Sequence, residues 1–132
     1  MNSIQGKISA IQTSGSLSLV SIEAGPNKLT TIVIDTPETL PLLKVGNTVK
    51  AIFKETEVAI GTEEKHNISM QNQLLGLIKG IEVSELLTKV VIQIGTTEVS
   101  SIITTKAANA MNLIQGMPVT ALIKTNEIML SE

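Results

Sequence analysis

Few residues in this 132-residue chain have side chains suited to chemistry, and two of them repeat. Lys54 lies in "GNTVKAIFKETEVAI" (46–60), and Lys124 falls at the same place in "GMPVTALIKTNEIML" (116–130). Five residue types share that offset of 70 positions: Gly46/Gly116, Val49/Val119, Ala51/Ala121, Lys54/Lys124 and Glu57/Glu127. Each stretch reads as two alternating strands meeting at a short turn, with the lysine at the hinge of a hairpin. What a lysine offers there is a positive charge at a strand end; the plainer reading is a solvated surface residue. His66 stands among Glu63, Glu64, Lys65 and Asn67 with no second His or Cys, so it reads as solvated linker and not as a metal ligand. Glu55 and Glu57 share one strand face, but their counterparts are Thr125 and Glu127, so no carboxylate pair is repeated. There is no glycine-rich phosphate loop before a helix and no nucleophile–base pair, which argues against an enzyme.

The elements that must position these lysines come in two copies. Sliding the sequence by 70 aligns 1–62 with 71–132 without a gap: Asn2 meets Asn72, Gly6 meets Gly76, Ile8 meets Ile78 and Val20 meets Val90. The polar run "GTEEKHNISMQ" (61–71) reads as a linker. The expected organisation is therefore a first domain over 1–62, a joining segment over 63–71 and a second domain over 72–132. Within each copy the apolar period is mostly two, and "KLTTIVID" and "TEVSSIIT" are rich in β-branched residues. Gly25-Pro26-Asn27 and Gly95-Thr96-Thr97 stand where hairpin turns are needed. "TPETLPLLKVG" and "KAANAMNLIQG" break the strand pattern, and the second contains helix formers with Met111 and Leu113 facing inward. Each copy reads as three strands, a helical turn and two strands. The fold expected is all-β: two tandem five-stranded OB-like barrels, each with a short helical turn. Gly6, Gly76, Gly46 and Gly116 read as turn or bulge residues needing unusual φ, and Asn2 and Asn72 as structural turn closers.

Composition removes several classes. The chain is 42% hydrophobic, with one Phe and no Trp, Tyr or Cys, enough for a packed interior but not for a disulfide framework. The missing cysteine fits cytoplasmic residence. Ten lysines face twelve acidic residues, for a net charge of −2, and arginine is absent. A nucleic-acid binder needs a basic excess and stacking aromatics, so no nucleic-acid partner is expected. No apolar run approaches the roughly 20 residues that cross a bilayer, and "MNSIQGKISAIQ" lacks the pattern of a secretory signal, so no membrane is expected either. So small a barrel buries little, and homo-oligomerisation is the physical expectation.

The order "N-x-x-x-G-x-I-x-x-I", a glycine turn, then "G-x-x-V-x-A-x-x-K-x-x-E-[VI]-x-[IL]" resembles the molbindin or Mop family, also called TOBE domains. Both copies match almost end to end, so the chain resembles a tandem di-Mop protein. The resemblance implies trimers of tandem domains that hold molybdate or tungstate at subunit interfaces, for storage or homeostasis or as the effector-sensing end of a regulator or transporter. Such a dianion carries only acceptors at neutral pH, so its site should supply main-chain N–H groups, hydroxyls and a cation. The family's Ser-Ala-Arg-Asn motif falls on Ser69-Met70-Gln71-Asn72, with glutamine in place of arginine; in the first copy only Met1-Asn2 remains of it. Its Thr-x-x-Ser motif falls on Thr104 and Ala107. In copy one it falls on Ile34 and Pro37, or on Val33 and Thr36 with a one-residue slip, and Thr36 is taken. Its lysine, followed by small or hydroxyl residues, falls on Lys54-Glu55-Thr56 and Lys124-Thr125-Asn126. The resemblance thus implies Lys124, Thr125, Ser69, Met70, Gln71, Thr104, Lys54, Thr56 and Thr36 as oxyanion contacts, with the second copy's set better preserved.

Overall fold

A computed structural model describes residues 1–132. The first repeat contributes β1 (Asn2–Ser14), β2 (Leu17–Ala24), β3 (Asn27–Val33), β4 (Thr48–Phe53) and β5 (Ala59–Gly61). The second contributes β6 (Asn72–Val83), β7 (Leu87–Ile94), β8 (Thr97–Thr104), the helix α1 (Thr105–Ala110), β9 (Pro118–Ile123) and β10 (Met129–Ser131). Alternation explains the long first strand: Asn2, Ile4, Gly6 and Ile8 point inward while Ser3, Gln5 and Lys7 point to solvent. Two-residue turns join β2 to β3 and β7 to β8, led by Gly25 and Gly95, both at φ 61°.

The outcome is all-β, two five-stranded OB-like sheets, with a feature the repeat did not disclose. The sheet orders are β10-β4-β1-β2-β3 and β5-β9-β6-β7-β8. Each sheet takes its fifth strand from the other repeat: Leu130 lies opposite Ala51 of β4, and Ile60 opposite Ala121 of β9. The segments 46–60 and 116–130 are therefore not hairpins; β4 and β5 lie in different sheets. The reason is local. Tight hairpins need a residue at positive φ, and no residue between 47 and 60 has one. The boundaries at 62 and 72 mark the repeat in sequence but do not partition the hydrogen bonding. One cluster of 20 buried apolar residues, from Ile4 to Ile128, draws on both repeats. Each fully buried aliphatic there contributes about 1.5–3 kcal/mol relative to exposure.

Two expectations about glycine and helix need correction. Gly46 and Gly116 have positive φ (94° and 88°), but Gly6 and Gly76 do not. They are required by close approach: a Cβ on Gly6 would lie 2.6 Å from the Glu23 carbonyl oxygen, and one on Gly76 would lie 2.5 Å from that of Gln93. Each precedes a register shift, at Ile8/Ala10 and Ile78/Gly80, where the first strand of its repeat bends. A helix forms only in the second repeat. The first keeps a single turn, with Leu40 N–H donating to the Thr36 carbonyl at 2.9 Å, because Pro41 has no N–H to continue the series.

Candidate functional site

The two repeated lysines begin two crossovers. Lys54 is extended (φ −76°, ψ 149°) and leads into a 3-10 turn at Glu55–Glu57; Lys124 is extended (φ −70°, ψ 148°) and leads into one at Thr125–Glu127. Each crossover is fastened to the third strand of the opposite repeat. Ser101 Oγ donates to the Val58 carbonyl at 2.6 Å; Thr31 Oγ1 donates to the Ile128 carbonyl at 2.6 Å and reaches the Thr125 carbonyl at 3.1 Å. Asn2 and Asn72 do not close turns. The Asn2 amide exchanges two bonds of 2.8 Å with the main chain of Ser100, and the Asn72 amide does the same with Thr30 at 2.7 and 2.8 Å, adding a third to the Ile123 carbonyl. Buried main-chain groups left over by the strand exchange thus find side-chain partners.

An open cleft of about 320 Å³ lies where the crossovers meet β8. It gathers three of the expected residues, Thr56, Met70 and Lys124, beside Ile102 and Ile103. Two residues outside the expected set, Glu57 and Glu127, also line it. Their signal was in the sequence, since both belong to the repeated pattern. Lys124 pairs with neither; the ion pairs of the chain are Met1–Glu55, Lys79–Glu98 and Lys89–Glu82. Glu55 is held below the ordinary glutamate value of 4.5, first by a hydrogen bond from its own backbone and then by the Met1 ammonium 3.0 Å away.

The other expected residues lie elsewhere in the chain. Gln71 lines a separate cleft with Glu64, Lys65 and Gln73, and Thr36 one with Thr13, Pro37 and Glu38. Thr104 caps α1, its hydroxyl accepting from the Ala107 N–H at 3.0 Å. Lys54 and Ser69 are exposed, and Thr125 is half-buried.

His66 departs furthest from its sequence reading. It is half-buried, its ring laid against Gly61 so closely that a Cβ there would collide with it. The His66 main-chain N–H donates to Gln73 Oε1 at 2.8 Å, and Gln73 Nε2 returns bonds to the carbonyls of His66 and Met70 at 2.9 and 3.0 Å. The Glu63 N–H donates to His66 Nε2 at 3.3 Å. Thr120 Oγ1 fastens the Glu63 and Glu64 carbonyls to β9. The joining segment is thus folded onto β6 and β9.

Comparison with known proteins fits this arrangement. The TOBE domain family model matches residues 68–130. The structure superposes on that of the cytoplasmic molybdate-binding protein ModG, in a molybdate-bound form, with a TM-score of 0.92 at 28% identity, covering 98% of this chain and 94% of that one. It also matches a molybdate-binding protein from Sporomusa ovata at 30% identity and a TM-score of 0.50, covering 51% of this chain and 100% of that one. No curated protein matches by sequence. No helix is long and apolar enough to cross a membrane.

Proposed function

This chain belongs to the molbindin (Mop, TOBE-domain) family, and on that premise we propose that it binds molybdate or tungstate at subunit interfaces, storing or buffering the oxyanion in the cytoplasm without catalysing a reaction. One observation carries the reading: nearly the whole chain superposes on a protein captured with molybdate bound. The cleft supports an interface location. Within one chain Lys124 is outnumbered by Glu57 and Glu127, so a dianion there needs donors from elsewhere. A neighbouring copy would bring them. The exposed Ile32, Ile34, Leu75 and Leu77 provide apolar surface for such an assembly, expected to be a trimer.

Native mass spectrometry without ligand, then with molybdate, then with sulfate, tests this directly. The expected result is a trimer that gains discrete molybdate masses and none from sulfate. A trimer that stays bare overturns the function while leaving the fold intact. That second reading, an assembly that binds nothing, is favoured by the two carboxylates in the cleft and by Gln71 at the family's arginine position.

A further inference from the structure

We propose that the hollow between the β2–β3 and β7–β8 turns is a binding site for a small neutral molecule with an apolar body and one hydrogen-bonding end, of the size and class of a phenol. The site is separate from the cleft at Lys124, and the inference does not rest on the function proposed above.

The hollow has a volume of about 140 Å³ and is built by both repeats. Its walls pair at the offset of 70: Ile4 with Leu74, Gly25 with Gly95, and Asn27 with Thr97. Neither half forms it alone. One pair is unequal, and there the space arises: Ala24 stands where the other repeat has Ile94. Ile94 is buried, so a side chain of that size has a packed place in the second repeat, and its absence leaves room in the first.

The lining sets the chemistry of the occupant. Ile4, Leu29, Leu74 and Ile94 are buried and form an apolar floor. Gln5 and Thr96 are exposed and Asn27 and Thr97 half-buried, which places two amides and two hydroxyls at the mouth. An apolar wall with a few polar groups is what orients a small ligand. No lysine, carboxylate or histidine lines the hollow, and Glu23, Lys28 and Glu98, which flank the turns, are exposed to solvent. An ion would lose water there and gain no counter-charge, so the occupant is neutral. A dry apolar cavity of about 150 Å³ accepts benzene, so this volume suits a single six-membered ring. The amides and hydroxyls both donate and accept, and so can bond a hydroxyl on that ring.

The test uses the whole protein and three forms: wild type, Ala24→Ile, which gives the first repeat the side chain the second already holds, and Thr97→Val, which replaces a hydroxyl at the mouth by a methyl. Phenol, un-ionised at neutral pH, is titrated into each and followed by amide NMR, with benzoate as an anion of similar size. Expected in wild type are saturable shifts at Gly25, Asn27, Gly95 and Thr97 with phenol, and none there with benzoate. Ala24→Ile should weaken phenol about tenfold or more, and Thr97→Val several-fold. Shifts with phenol that do not saturate, or that lie away from the two turns, overturn the site. Benzoate binding as well as phenol, or an Ala24→Ile protein that folds and binds phenol as wild type does, overturns it too. If Ala24→Ile does not fold, Thr97→Val decides alone: weaker phenol binding upholds the site and unchanged binding overturns it.

Discussion

The two repeats are alike at the residues that hold the fold and, the shared lysine and glutamate apart, differ around the two crossovers. Gly6 and Gly76 meet the same obstacle, Thr31 and Ser101 fasten the same carbonyl position, and Asn2 and Asn72 bridge to the same strand of the opposite half. The ends of β3 and β8 differ: two prolines follow one, a capped helix the other. The residue after the lysine is Glu55 in one and Thr125 in the other. Outward on the first strand, Gln5 and Lys7 of one repeat correspond to Leu75 and Leu77 of the other. The strand exchange makes each half depend on the other's framework, and the differences fall outside those shared contacts.

The largest effects should test the shared framework. Gly6→Ala and Gly76→Ala each drive a methyl against main chain, and overpacking of this kind costs about 1–3 kcal/mol. Urea denaturation should give nearly the same loss for both, and a large loss at one alone would break the equivalence. Asn72→Ala should cost more than Asn2→Ala, because it strands three main-chain bonds instead of two, at about 1–3 kcal/mol for each group left buried and unpaired.

The next effects test the divergence. Lys124→Ala should weaken molybdate binding about tenfold or more, the scale of a charge-assisted hydrogen bond, and Lys54→Ala should weaken it less. Equal losses by calorimetry would mean that the lysines are as equivalent as the glycines. Thr104→Ala removes the cap of α1 and should cost about 1 kcal/mol, whereas Ile34→Ala at the matching position of the first repeat caps nothing and should be near neutral.

The strands, the repeat and the turns at Gly25, Gly46, Gly95 and Gly116 were legible because alternation and positive φ are local properties. The exchange of β5 and β10 was not. By near-symmetry each strand would present the same residues to its own repeat's sheet as to the other's, so pattern alone cannot tell which it joins. The clue was negative: nothing around Lys54 can turn the chain back on itself. Gly6 and Gly76 were read as turn or bulge glycines needing unusual φ because the Glu23 and Gln93 carbonyls that exclude a Cβ are distant in sequence. His66 looked solvated for the same reason, since its partners Gly61 and Gln73 are apolar or neutral and become neighbours only when the segment folds onto β6. Of the site, Lys124, Thr56 and Met70 converge, and the opposing Glu57 and Glu127 were visible only as part of the repeat.

The smallest prediction concerns the residue that most separates the two crossovers. Glu55 has its pKa lowered by its backbone hydrogen bond and by the Met1 ammonium, so the folded state favours its ionised form. A depressed carboxyl adds stability above its unfolded value, near 4.5, and loses it as pH falls through the lower folded value. Wild type should therefore exceed Glu55→Gln in melting temperature at pH 7, and the gap should narrow as the pH falls below 4.5. Contributions common to both proteins cancel from the difference. The group is at the surface, so the gap should be small and should shrink in high salt. Thr125 has no such charge, and Thr125→Ala should show an offset that does not vary with pH. A gap for Glu55→Gln that persists in acid would mean that Glu55 acts there by packing, as Thr125 does, and that the crossovers differ less than their charges suggest.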